Sequence, residues 1–487
     1  MSIEDSEIFT KNKPLVDFVI TEGQNLHLDY VEARYIHLTS EGYTFRNGAL
    51  LGGGVTRTDG IGLRVLHNGN LVFLTTAKLN RDSLSELVRR AKSKVLAAKR
   101  KKPIQFSQEP VVEDEWKTPY QIAFAEVPVE EKQQYFATMD QTLHQEFGKS
   151  LPNRTIMVSL ANELKYIATN EGSKIFSEKM QPVLHTFNTA VGDSGSEQRF
   201  FGIGGTGGWE WFKNQNILQQ VRDDTLGLVK TAKHAQSMKL GKIDVIISSE
   251  VAGIMAHENV GHPSEADRIL GREGAQAGES FYVDLLKDGE LGSIQLGNPE
   301  VTIIEDPTLP GSSGFYLYDD ECVKARPRAL IKDGMLNELL LNREFAHRFG
   351  VSSNGAARAE TYDREPIVRM ANTYFKPGSY TLEELAEDIN HGMYMKSFSE
   401  WNIDDRRYQS KYVGLECYLI EKGEITEKMI RRPILELTTR GILGSVDGVT
   451  KSFGSSHGTC GKGDPGQGVP VWMGGGEVRM RGIQLGE

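Results

Sequence analysis

Two histidines and a glutamate in "AHENVGHPSEAD", Ala256 to Asp267, are the residues of this chain whose types and spacing most suggest chemistry. The pattern is H-E-x-x-x-H. Imidazole nitrogens bind zinc, and a carboxylate beside a ligand can act as a general base. The spacing sets a condition. Each helical residue turns about 100°, so residues four apart share a face while residues five apart differ by about 140°. His257 and His262 can meet at one ion only if the helix is interrupted. Gly261 tolerates irregular dihedrals, and Pro263 biases His262 away from helical geometry, so "GHP" is a candidate break. A π-bulge would serve equally, because its wider turn aligns residues five apart. Glu258 points differently from its neighbour and is expected to be free to take a proton from a zinc-activated water. The plainer alternative is a polar helix surface that carries these residues by chance.

A catalytic zinc usually has three protein ligands. The candidates for the third are Glu265, Asp267, His457 and Cys460. Glu265 lies one helical turn beyond His262, where it also suits a supporting role behind that ligand. Cys460 stands in "GTCGKGDPGQGVPVW", which reads as an exposed glycine-rich loop; a cysteine there suits a thiolate ligand or a nucleophile. Cys322 and Cys417 stand in strand-like runs and read as packing residues.

The elements that must hold these residues fall into two parts. Residues 1–238 read as an N-terminal mixed α/β domain. They include a hairpin around "HNGN" in Gly62–Thr76 and a helix from Asp82 to about Ala98, capped by Asp82 or Ser83. A second helix runs from Val129 until Gly148 ends it, paired strands occupy "RTIMVSLANELKYIATNEGSKIF", and a third helix lies in "NQNILQQVRDDTLGLVKTAKHAQSM". Residues 239–487 read as a β-rich domain. It begins with a buried strand, "DVIIS", and a short zinc-binding helix capped by Ser248 or Ser249. The fold class is therefore α+β. "GIGGTG" (Gly202–Gly207) fits G-x-G-x-x-G but lacks the strand before and the helix directly after that a dinucleotide site needs, so it reads as a turn between strands. "CGKG" (Cys460–Gly463) fails as a phosphate loop because Ser456 replaces the first required glycine.

Bulk properties narrow the function classes. The chain has 487 residues, a net charge of −10 and ordinary hydrophobic content. The acidic balance argues against general affinity for nucleic acid or anionic membrane. No apolar stretch is long enough for a membrane helix, and the polar start lacks the apolar core of a signal peptide. Three widely spaced cysteines fit a reducing compartment, so a cytoplasmic location is expected.

"AHENVGHPSEAD" and "GTCGKGDPGQGVPV" together resemble the paired motifs of the TldD/PmbA metalloproteases. Further similarity lies in "GIGLRVLHNGNLVFLTT", "TNEGSKIF", "DDECVKARPRALIKDGMLNELLLNREFAHRFG" and "REPIVRMANTYFKPG". The resemblance implies a zinc-dependent peptidase acting on peptides or unfolded polypeptides. It implies His257, His262 and Cys460 as ligands and Glu258 as the catalytic base. It also implies a dimer, in one form a heterodimer of a metal-binding TldD-like subunit such as this one with a metal-free PmbA-like partner. "CGKGDPGQ" is two residues longer than the family's C-G-K-x-G-Q, and Pro263 departs from its pattern. In "RMANTY", Arg369 or Asn372 is a candidate contact for substrate or the scissile carbonyl, set against a purely structural strand. Two other readings stand beside the peptidase. One is a cysteine hydrolase with Cys460 as nucleophile and His457 or His262 as base; the other is a non-enzymatic subunit with a structural zinc.

Overall fold

The computed structural model describes residues 3–274 and 278–486. Its first part is built on long antiparallel strands. Tyr30–Arg46 (β1), Ala49–His67 (β2) and Asn70–Thr76 (β3) form a meander, and Asn153–Thr169 (β5) and Lys174–Gly192 (β6) extend it on the far side of β1. Glu113–Lys117 (β4) and Gly195–Gly204 (β7) both pair with β6, β4 in parallel and β7 in antiparallel sense. The β1–β2 and β2–β3 connections are two-residue turns, Asn47-Gly48 and Asn68-Gly69, with all four φ angles positive. Tight hairpins require that geometry, and Asn-Gly supplies it with least strain.

Helices cover the sheet by burying one stripe each. In Arg81–Ala97 the buried residues are Leu84, Leu87, Val88, Ala91 and Val95, the spacing of an amphipathic helix. They pack on Val31, Ala33, Leu63 and Val65 of β1 and β2. The cap is Asn80, whose Oδ1 accepts from the Ser83 backbone N–H at 3.0 Å; neither Asp82 nor Ser83 caps it. Asn80 is extended, as a cap must be, whereas Asp82 already lies inside the helix. Val129–Phe147 ends at Gly148, where φ is 50°, and the third helix is Ile217–His234.

The second part is β-rich, as an α+β chain of this organisation requires. Its nine-stranded sheet places Lys242–Ile247 (β8) at the centre, between Val478–Gly486 and His391–Met395. A six-stranded sheet ends in the hairpin Gly454–Lys462 and Gln467–Gly475. Between the two sheets lies the helix Ser249–Ala256, in the largest hydrophobic cluster of the molecule. Glycine makes that position possible. A Cβ on Gly253 would fall 2.3 Å from the Gly474 nitrogen, so helix and hairpin meet backbone to backbone.

Three local expectations change. Cys460 is not in an exposed loop: it is 5% exposed, on the strand Gly454–Lys462, paired with Val469. The glycines around it fit a strand because neighbours come close: a Cβ on Gly458 would lie 2.7 Å from Met473 Cε. "GIGGTG" is not a turn between strands. Its first three residues end β7, and Gly204 approaches His457 so closely that a Cβ would lie 2.6 Å from Nδ1. Cys322 occupies a turn with φ of 60°, not a strand, although it is buried. No helix among the described residues is long and apolar enough to cross a membrane.

Candidate metal centre

The strand β8 delivers the chain to Ser248, whose hydroxyl accepts from the Val251 N–H at 3.3 Å and starts the helix. The helix runs to Ala256 and then widens. His257–Gly261 is a single π-turn, followed by a 3-10 turn over His262–Ser264 with Pro263 at its start. The wider turn aligns residues five apart. The "GHP" break therefore does not operate. Gly261 has φ −58° and ψ −58°, and His262 has φ −61° and ψ −43°, both right-handed helical. Pro263 is accommodated in the opening of the 3-10 turn, where N–H groups lack an intrahelical partner and its missing N–H costs little. Gly261 is needed for space instead. A Cβ there would lie 2.0 Å from Met370 Sδ.

The π-turn turns both rings to the same side. His257 and His262 have ring centroids 4.9 Å apart in an edge-to-face arrangement. Cys460 approaches from the hairpin, with Sγ 3.7 Å from His262 Nε2. One donor atom from each of His257, His262 and Cys460 falls within 4.8 Å of the other two, and all three residues are buried. Two imidazoles and a thiol are a donor set suited to zinc. His257 Nδ1 is buried without a hydrogen-bond partner among the described residues, so that ring has unmet bonding capacity. The residues fit a metal on these grounds.

The other candidate ligands are engaged elsewhere. Glu265 Oε2 accepts from His262 Nδ1 at 2.8 Å and from Arg268 Nε at 2.6 Å, and Lys462 Nζ lies 3.3 Å from Oε1. Asp267 accepts from Lys462 Nζ at 2.7 Å. His457 Nδ1 is 2.7 Å from Ser313 Oγ. Glu258 is not a free carboxylate. Its Oε2 is ion-paired with Arg407 Nη1 and lies 4.0 Å from His262 Nε2. Arg369 and Asn372 are buried and bonded to main chain. Arg369 donates to the carbonyls of Cys460 and Gln467, and Asn372 bonds to Asp306, Gly314 and Trp472.

Burial dominates the titration of the site. It lowers His257 below the usual histidine range and takes His262 down to about 4, so both rings are neutral and can donate lone pairs. Burial alone would raise Cys460, but His262 and Arg369 outweigh it and bring the thiol down to about 7. Burial raises Glu258 against the opposing pull of His257 and Arg407. Burial would also raise Glu265, yet Lys462, His262 and Arg268 hold it well below the carboxylate range, so it stays ionised.

The donors open onto a cavity of about 540 Å³ between the two parts of the chain, walled by Phe200 and Phe201 of β7, Phe398 and Trp401, and the hairpin carrying Cys460. Arg199 of β7 reaches across to Glu250 in the first turn of the helix, with N–O distances of 2.7 and 2.8 Å, and to Asp224 at 2.9 Å. The sequence offered no local sign of Arg199, Arg268, Arg407 or Lys462 at this site.

Comparisons with known proteins agree on one kinship. The PmbA/TldA metallopeptidase C-terminal domain matches residues 240–487, and PmbA/TldA metallopeptidase domain 1 matches residues 31–94. A metalloprotease of Methanocaldococcus jannaschii is 32% identical over 457 residues, 93% of this chain and 96% of its own. A Saccharolobus solfataricus protein described as a zinc metalloprotease TldD homolog is 26% identical over 449 residues, covering 88% of this chain and 90% of its own. The crystal structure of TldE from Thermococcus kodakarensis has the same fold, with a TM-score of 0.72 at 13% identity over 97% of this chain and 99% of that one. From the domain match over half the chain and the near full-length kinship, this chain belongs to the TldD/PmbA family of metallopeptidases.

Proposed function

We propose that the chain is a zinc-dependent peptidase that hydrolyses peptides or unfolded polypeptides, with His257, His262 and Cys460 as metal ligands and Glu258 as general base. The observation that carries this reading is the convergence of those three donor sets within 4.8 Å, with the Glu258 carboxylate 4.0 Å from His262 Nε2. A purely structural zinc has no need of a carboxylate beside a ligand and an adjoining cavity. Bound zinc would supply Lewis-acid chemistry, polarising the scissile carbonyl and lowering the pKa of water. Glu258 Oε2 takes the proton of the attacking water and passes it to the amine nitrogen as the C–N bond breaks. Glu265 keeps His262 Nδ1 protonated and leaves Nε2 as that ring's donor. We assign Arg369 to bracing the Cys460 hairpin and Asn372 to bracing its neighbour, and neither to substrate. The chain carries all three donors, so within a dimer it would be the metal-holding subunit, alone or beside a metal-free PmbA-like partner.

A second reading has its own support. Cys460 Sγ lies 3.7 Å from His262 Nε2 and its thiol is lowered to about 7, as a Cys–His nucleophile pair would be. The two separate cleanly. The zinc peptidase loses cleavage of an internally quenched fluorescent peptide when treated with a chelator and regains it with zinc. Cleavage that ignores the chelator but stops with iodoacetamide favours the thiol mechanism.

A further inference from the structure

The strands Phe398–Ile403 and Gln409–Gly414 are joined by a turn over Asp404–Tyr408. The Asp404 carbonyl accepts from the Arg407 N–H at 3.0 Å. The Asp404 carboxylate accepts from the N–H groups of Tyr408 at 2.6 Å and Gln409 at 2.8 Å. This is a tight turn closed by one left-handed residue, and that residue is Arg407, with φ of 63°. Glycine or asparagine would fit there with less strain, because the Cβ of other residues crowds the backbone. An arginine there accepts backbone strain that glycine would avoid. Its guanidinium reaches Glu258 Oε2.

The turn is also locked to the π-turn by a second set of bonds. Asn259, next to Glu258, donates to Ser410 Oγ at 3.1 Å and Thr439 Oγ1 at 3.0 Å, and accepts from Tyr412 Oη at 2.6 Å. Thr439 Oγ1 lies 3.3 Å from the Arg407 carbonyl. The base of the guanidinium is thus fixed relative to the segment that carries the glutamate. Glu258, by contrast, is a side chain with three rotatable bonds facing a cavity, and among the described residues the Arg407 guanidinium donates a hydrogen bond to its carboxylate.

We infer that Arg407 is a positioning residue, a left-handed clamp that aims the Glu258 carboxylate at the donor cluster. The inference rests on the peptidase reading above. It predicts a specific pattern for Arg407→Gly, which removes the guanidinium while suiting the left-handed backbone. In the full-length chain, kcat on an internally quenched fluorescent peptide falls by about 100-fold, the scale of a displaced catalytic group. KM and zinc content stay at wild-type values. Arg407→Lys, which restores a cation, recovers part of kcat. Wild-type kcat in Arg407→Gly overturns the inference. A loss that appears in KM or in zinc content instead of kcat overturns it as well, since the arginine would then serve substrate or metal. Glu258→Gln separates the two claims. Inactive Glu258→Gln with active Arg407→Gly sinks only the clamp, and active Glu258→Gln sinks the clamp and the general base together.

Discussion

Glu265 Oε2 sits 2.8 Å from Nδ1 of His262, on the side of the ring opposite Cys460. With Glu265 ionised, Nδ1–H donates this hydrogen bond to the carboxylate, and Nε2 keeps a lone pair on the side of the thiol. Arg268 and Lys462 hold the carboxylate in turn, so two residues of "HPSEADR" and one of "CGKG" form a support behind a single imidazole.

Glu265→Gln should keep the shape of this support and remove its charge. The expected result is a loss of roughly 10–100-fold in zinc affinity, the usual effect of removing a partner behind a ligand. Competition with a chromophoric chelator measures it. Unchanged affinity would show that the ring needs no such partner.

Gly261→Ala tests why glycine stands in the π-turn. Alanine favours helix, and the backbone there is already helical, so local propensity alone predicts stabilisation. The 2.0 Å approach to Met370 Sδ predicts the reverse, a loss of about 1–3 kcal/mol from overpacking. Denaturant unfolding decides between them, and Met370→Ala in the same chain should recover part of the loss.

Arg369→Met tests the bracing role. The side chain is fully buried and donates to two carbonyls of the hairpin, those of Cys460 and Gln467. Methionine fills much of the volume but leaves those carbonyls without their donor, at a cost of about 1–3 kcal/mol for each buried group left unpaired. The expected outcome is lower stability and weaker zinc retention together, followed by denaturant unfolding and metal content. A variant as stable as wild type but slow in catalysis would return Arg369 to the substrate.

Removing metal should loosen a junction. His257 and His262 stand on the turns that follow the helix between the sheets, and Cys460 belongs to the hairpin, so one bound ion would tie two elements 198 residues apart. A ligand at 100 times its dissociation constant stabilises a fold by about 2.7 kcal/mol. Chelation should therefore lower the thermal midpoint, and added zinc should restore it. A midpoint indifferent to both would argue against metal binding in the folded chain.

The sequence made local geometry legible and long-range pairing much less so. A spacing of five between His257 and His262 cannot share an ion on a regular helix, and the π-turn follows one of the two routes that this constraint leaves. The other route, through Gly261 and Pro263, rests on two residues that break helices in isolation. Packing overrides that tendency, since Gly261 is chosen for a contact with Met370, far away in sequence. The Asn68-Gly69 hairpin and the amphipathic helix at Arg81–Ala97 are legible because their signals lie within one turn of chain. Cys460 reads locally as a loop residue because glycine content mimics a loop, and its pairing with Val469 reveals a strand. Arg407 lies 149 residues from Glu258, and its left-handed φ leaves no trace in local residue pattern.

The most direct test of the central claim is zinc content and peptide cleavage measured on the same preparations of wild type and Glu258→Gln. The glutamate is not among the three ligands, and glutamine keeps its size. The account predicts about one zinc per chain in both proteins, cleavage by wild type, and at least a 100-fold lower rate in the variant, a loss on the scale of general-base catalysis. A zinc-free wild type, or a zinc-loaded Glu258→Gln that cuts at the wild-type rate, would contradict it.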